Sequence, residues 1–257
     1  MEDTTTKNKK NFFQNFGLMA CSMLVIYEIC IIGMGTSTFW GWKRWEQNIS
    51  VSSTATTIAH ATEQSQFEVV DRFDNTSGRW HVGNIKIDGR WDGSMEIKEG
   101  VYILKVNEVQ KPFIQHNSSF SEFPLKDFDV YLDTKFVMGV SGDVCGGLVF
   151  RRSFKGWGHG AYIFIICNDS TFKIAYYNEQ GWKTFSGKRF SEAILPADWN
   201  RIEINARGSH FNFSINNMAV YELTDDRQAD GALGVMIEVN DLNPTEVWFD
   251  NFGYQSR

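Results

Sequence analysis

From Phe128 to Met138 the apolar residues Phe128, Val130, Leu132 and Phe136 alternate with Asp129, Tyr131, Asp133 and Lys135. A period of two puts one set of side chains on each side of an extended backbone, so this segment is predicted to be a strand with one buried face. Ile202, Ile204 and Ala206 repeat the pattern against Arg201, Glu203 and Arg207, and Phe211, Phe213 and Ile215 repeat it against Asn212, Ser214 and Asn216. These two strands join near Gly208. The pair Asn216-Asn217 then separates FNFSI from AVYEL, and because Asn tolerates left-handed backbone, a tight hairpin is expected there. GVYILKV, FKIAYY, GWKTFS, GVMIEV and VWFDNF add further short alternations bounded by Gly, Asn and Asp. GGLVFR and AYIFIIC are apolar at both parities and are expected to be central, covered on both sides. RSFKGWGHG between them reads as a long hairpin loop and a candidate binding lip. So many strands cannot bury their faces in one open sheet. The expectation is an all-β domain over residues 67–257, two antiparallel sheets packed face to face as a jelly-roll sandwich.

The N-terminal quarter has a different texture. A polar start with Lys7, Lys9 and Lys10 (residues 1–15) leads into an apolar stretch from Phe16 to Met34 and a Gly/Thr/Trp-rich exit through Trp42. An apolar run of about twenty residues can cross the hydrocarbon region, and positive charge before it favours an N-in, C-out orientation. Residues 16–42 are therefore expected to be a signal-anchor transmembrane helix preceded by a cytoplasmic tail. A cleaved signal peptide is the alternative, with Gly33-Met34-Gly35 as the cleavage region. Residues 43–66, rich in Ser, Thr, Ala and Gln, read as a stalk. The domain would then stand on the outer side of a cell membrane.

Charge narrows the partners. The chain carries a formal net charge of −6 and has no long run of Lys or Arg after its first ten residues, which excludes the basic footprint that nucleic acid requires. Aromatic residues make up 15% of the chain, a bias that suits pleated, half-buried strands.

In order along the chain, DRFDNTSGRW, KEGVYILKV, DFDVYLDTKFV, CGGLVFR, AYIFII, DWNRIEINARGSHFNFSINN, GALGVMIEV and VWFDNF resemble the concanavalin A-like lectin/glucanase superfamily. Within it the chain is similar to bacterial extracytoplasmic sandwich domains of the 3-keto-disaccharide hydrolase-like group. The resemblance spans Phe67 to Phe252 and rests on core and turn residues, so it implies a fold more than a function.

Glucanases of that superfamily place catalytic carboxylates as Glu-x-Asp-x-x-Glu on one strand, because retaining hydrolysis needs an acid and a nucleophile flanking one bond. That spacing is absent. Asp127, Asp129 and Asp133 share one strand face and read as solvated acids rather than a catalytic dyad. The five histidines lie apart, without metal-ligand spacing. Saccharide binding is the leading expectation, since sandwich lectins stack aromatic rings on sugars and flank them with polar groups. Arg151, Trp157, Tyr177 and Trp182 are the candidates, with strand-end packing as the plainer alternative. A sugar hydrolase and a protein-interaction ectodomain are the other readings. If the first and last strands are neighbours, Asp71, Asp74, Asp250 and Asn251 could offer oxygens to a structural Ca²⁺, or serve as ordinary turn contacts. Pairing GGLVFR antiparallel with AYIFII sets Cys145 opposite Cys167, as a disulfide or as two small buried thiols.

Overall fold

The computed structural model describes residues 69–74, 80–87, 91–109, 114–119, 124–139 and 142–257. The tail, signal-anchor and stalk expectations of residues 1–66 lie outside these. No helix among the described residues is long and apolar enough to cross a membrane.

The described chain runs through β1 (Val69–Asp71), β2 (Gly83–Ile87), β3 (Trp91–Lys98), β4 (Val101–Val109), β5 (Ile114–Ser119), β6 (Phe128–Met138), β7 (Val144–Arg152) and β8 (Ala161–Cys167). It continues through β9 (Thr171–Asn178), β10 (Gly181–Thr184), β11 (Arg189–Phe190), β12 (Asn200–Arg207), β13 (His210–Ile215), β14 (Met218–Thr224), β15 (Ala232–Val239) and β16 (Thr245–Ser256). The larger antiparallel sheet has the order β14-β13-β12-β6-β16-β4-β3-β2, with β1 beside β16. The smaller has the order β10-β9-β8-β7-β15-β5, with β11 beside β9.

The inner faces of the two sheets meet in one core. Leu132, Ile204 and Phe213 from the larger sheet and Leu148, Phe164 and Val235 from the smaller are fully buried in it. Phe164 meets Phe213 edge-on at 5.1 Å between ring centroids, and Phe150 meets Phe211 at 5.6 Å, geometry that aromatic quadrupoles favour. Close approach of the sheets requires Gly146, where a Cβ would come within 2.9 Å of Val247 Cγ1.

The turns follow their sequence cues. Asn216 and Asn217 both take positive φ, 48° and 65°, closing the β13–β14 hairpin. β7 and β8 lie inside the smaller sheet, between β15 and β9, as their double-sided apolar pattern requires. Their connection carries a 3-10 turn at Trp157–His159, and the Ser153 N–H bonds the Gly160 carbonyl across its base at 2.8 Å.

Candidate functional site

β7, β8, β9 and β10 are successive antiparallel hairpins, so chain order itself brings their ends to one edge of the smaller sheet. Alternation sends one set of their side chains into the core and the other to the sheet's outer face. Outward go Cys145, Val149, Ala161, Ile163, Ile165, Cys167, Ala175 and Met236, which form a second buried apolar cluster with Trp182 packed against it. Cys145 and Cys167 are register partners on β7 and β8 and form a disulfide.

At the β9–β10 end of this face Tyr177 and Trp182 are cross-strand partners, with ring centroids 4.9 Å apart and planes at 43°. Both are half-buried. The Trp182 ring carries Lys173 Nζ at 5.8 Å, and Lys173 bonds both carboxylate oxygens of Glu238 on β15 at 2.6 Å. The 3-10 turn that Trp157 opens lies against the β9–β10 connection, where His159 Nδ1 stands 3.3 Å from Glu179 Oε1. Trp157, Tyr177 and Trp182 thus belong to one rim: Tyr177 and Trp182 by ring contact, Trp157 by the position of its backbone.

Arg151 does not join them, and its expected rim position is corrected. Its side chain is fully buried and turned inward. The guanidinium donates to the carbonyls of Lys126 at 2.5 Å, Gly208 at 2.7 Å and Gln228 at 3.1 Å, and lies 4.6 Å over the Phe211 ring. Burial pulls its pKa down, opposed by Tyr162 and by Asp127, whose carboxylate is 4.0 Å away. The cause is a β-bulge. The β7–β15 register slips between Ala232 and Gly234, opposite Arg152 and Val149, and Arg151 takes a φ of 45°. The extra residue leaves Phe150 and Arg151 both on the core side. Arg152 then resumes the outward direction.

The face of the larger sheet is also different from its sequence reading. Asp129 and Asp133 are not solvated acids: they are 6% and 8% exposed. Asp129 accepts from Arg207 at 2.7 Å, Arg257 at 2.7 Å and Asn205 at 3.0 Å. Burial works to raise its pKa, but these donors outweigh it and hold the carboxyl below its ordinary value. Asp133 accepts from Arg201 at 2.8 and 3.2 Å and from Asn251 Nδ2 at 2.8 Å. Arg201 in turn lies 4.5 Å over the Tyr131 ring, which has room because residue 253 is glycine; a Cβ there would meet the ring at 2.5 Å.

Beside this pair stands Asp250, the register partner of Asp133 on β16. Burial, together with the charges of Asp133 and Asp74, raises its pKa to about 6, against the opposing pull of the Asn251 N–H and Arg72. β1 and β16 are neighbours, as the Ca²⁺ expectation requires, and the charge of Asp74 acts on Asp250. Asp71 spends one oxygen on the Phe73 N–H and the other on Trp80 Nε1, each at 2.9 Å, and Asn251 spends its amide on Asp133. No group of three or more His, Cys, Asp or Glu among the described residues is placed to hold a metal ion.

No family model and no curated protein matches the chain. Among solved structures it is similar to a prokaryotic β-1,3-1,4-glucanase (lichenase) derived from a mouse hindgut metagenome, with 11% identity over 74% of this chain and 99% of that one and a TM-score of 0.55. It is also similar to a Bacillus subtilis protein of unknown function with a galectin-like fold (13% identity, 74% and 96% coverage, TM-score 0.54). A third likeness is to a Bacillus licheniformis β-glucanase (9% identity, 74% and 98% coverage, TM-score 0.52). These likenesses establish the architecture: the domain is a concanavalin A-like jelly-roll sandwich, as the sequence resemblance implies.

Proposed function

We propose that the rim at the β9–β10 end of the smaller sheet, where Tyr177 and Trp182 are half-buried, is a non-catalytic saccharide-binding site, on an extracytoplasmic domain that residues 16–42 tether to the cell membrane. The observation that carries the reading is the half-buried Tyr177–Trp182 pair at 4.9 Å, an aromatic pair on the edge strand of the smaller sheet and its neighbour. Such rings stack on the apolar face of a pyranose, and nearby polar groups select its hydroxyls. Glu238 on this face is ion-paired with Lys173 at 2.6 Å. The Cys145–Cys167 bond suits an oxidising compartment and so supports the outer location. The glucanases that share the fold act, by their names, on glucans, which makes saccharides the ligand class to test first. The test is a glycan array probed with the full chain, with and without Ca²⁺, followed by product analysis on each hit. Saturable binding without turnover, lost in Trp182→Ala, supports the proposal.

A second reading, saccharide hydrolysis, is favoured by one observation on the other sheet. Asp133 is paired with Arg201 while the pKa of its cross-strand neighbour Asp250 is raised to about 6, and two adjacent carboxyl groups in such different surroundings suit a division into base and acid. Product release from a disaccharide that disappears in Asp250→Asn would move this reading to the front.

A further inference from the structure

The bulge that turns Arg151 inward places Arg152 on the outer face, level with the aromatic pair. Arg152 is the register partner of Ala232 on β15. Ala232 shares the outward parity of Met236, whereas Leu233 and Val235 point into the core. On the other side, the Ser153 N–H to Gly160 carbonyl bond carries the β7–β8 ladder past the bulge and sets Arg152 beside Ala161. Ala161 is the partner of Tyr177, and Tyr177 of Trp182. One transverse row of the sheet therefore reads Ala232, Arg152, Ala161, Tyr177, Trp182. Strands stand about 4.8 Å apart, so Arg152 and Tyr177, two strands from each other, are separated by about 10 Å at the backbone. Ala161 lies between them in the row and is fully buried, whereas Arg152, Tyr177 and Trp182 are each half-buried and reach the surface.

Arg152 is uncommitted. Among the described residues it makes no hydrogen bond or ion pair, and its Nε is buried without an acceptor. Its pKa is lowered by burial with no carboxylate opposing the shift. Two basic side chains of this neighbourhood are engaged: Lys173 holds Glu238, and His159 faces Glu179. A half-buried guanidinium without a counterion is costly unless an anion completes it, and its planar fork matches a carboxylate bidentately.

We infer that this face selects saccharides bearing a carboxylate, with Arg152 gripping the carboxylate of a uronic-acid-type ring that stacks on Tyr177 and Trp182. The inference rests on the saccharide-binding reading and adds the ligand class to it. Neutral sugars would keep the stacking contact but leave the guanidinium bare.

The test uses the full chain with oligogalacturonides and oligoglucuronides, each as the free acid and as the methyl ester. The ester keeps the ring and removes the charge. The expected result is that the acid binds about tenfold or more tighter than the ester at low salt. Arg152→Gln abolishes this preference, Arg152→Lys restores part of it, and Trp182→Ala weakens acid and ester alike. Equal binding of acid and ester to the unmodified chain overturns the role of Arg152 while leaving the saccharide reading standing, and this comparison decides even if a variant fails to fold. No binding of either form, with neutral glycans bound instead, likewise overturns the acidic class alone. No saccharide bound at all removes both proposals.

Discussion

Tyr177 and Trp182 face each other across the β9–β10 ladder with their rings 4.9 Å apart, at the edge of a sheet whose outer side carries a buried apolar cluster. Two large rings held by adjacent backbones lose little conformational freedom when a ligand stacks on them, which is why such a pair makes a platform. Tyr177→Ala or Trp182→Ala is expected to weaken saccharide binding by about tenfold to a hundredfold, consistent with an aromatic hot-spot contact, with a lowered but still cooperative melting transition. Calorimetric titration of each variant checks the first effect and a melting curve the second.

Arg151 and Arg152 are adjacent in sequence and opposite in consequence. Removing Arg151 strands three backbone carbonyls and opens the Phe211 contact, so Arg151→Ala is expected to cost about 3 kcal/mol of stability. Arg152→Gln touches no such partner and is expected to stay within about 0.5 kcal/mol. Urea unfolding of the two variants side by side measures the contrast; comparable losses would mean the bulge is misassigned.

The Cys145–Cys167 bond spans a sequence separation of 22 residues. Constraining a loop of that length in the unfolded chain contributes about 3 kcal/mol. Denaturation in the presence and absence of a reductant is expected to differ by about this amount, and Cys145→Ser with Cys167→Ser should match the reduced protein.

Asp250 gives the fold an unusual dependence on pH. Its folded pKa, about 6, lies above the ordinary value of 3.8, so between these values the folded state binds more protons than the unfolded one. Linkage then makes stability fall as pH rises through that window, by about 3 kcal/mol in all. Asp129, Asp169 and Glu246 act oppositely: their folded pKa values are depressed, so what they contribute is present above the ordinary carboxylate range and lost as pH falls through it. The melting temperature should therefore be higher near pH 5 than at pH 7, and Asp250→Asn should raise it at pH 7 and flatten the slope. A melting temperature independent of pH from 5 to 7 in the unmodified protein would contradict the buried environment of Asp250.

How far these features can be read from the sequence depends on whether local periodicity encodes them. The alternation of Phe128 to Phe136 and of Ile202 to Ala206 gives β6 and β12 directly, and the left-handed tolerance of Asn216 and Asn217 gives the β13–β14 hairpin. Trp157, Tyr177 and Trp182 come to one rim because the strands between them are consecutive hairpins, which chain order reveals. The exchange of Arg151 for Arg152 is invisible locally, since the bulge arises from the register of β7 against β15, eighty residues on in the chain by rough count. The burial of Asp129 and Asp133 is hidden for the same reason: Arg201, Arg207 and Arg257 reach them from strands distant in sequence. The neighbourhood of β1 and β16 is legible from the fold family, but the commitment of Asp71 to Trp80 depends on where one indole lands.

The measurement that bears most directly on the central claim is saccharide binding by the full chain, unmodified and with Trp182→Ala, on a glycan array followed by titration of the best hit. Saturable binding to the unmodified chain that falls at least about tenfold in a folded Trp182→Ala variant is the predicted result. Binding of equal strength in both, or no saccharide bound by protein with an intact melting transition, would contradict the claim.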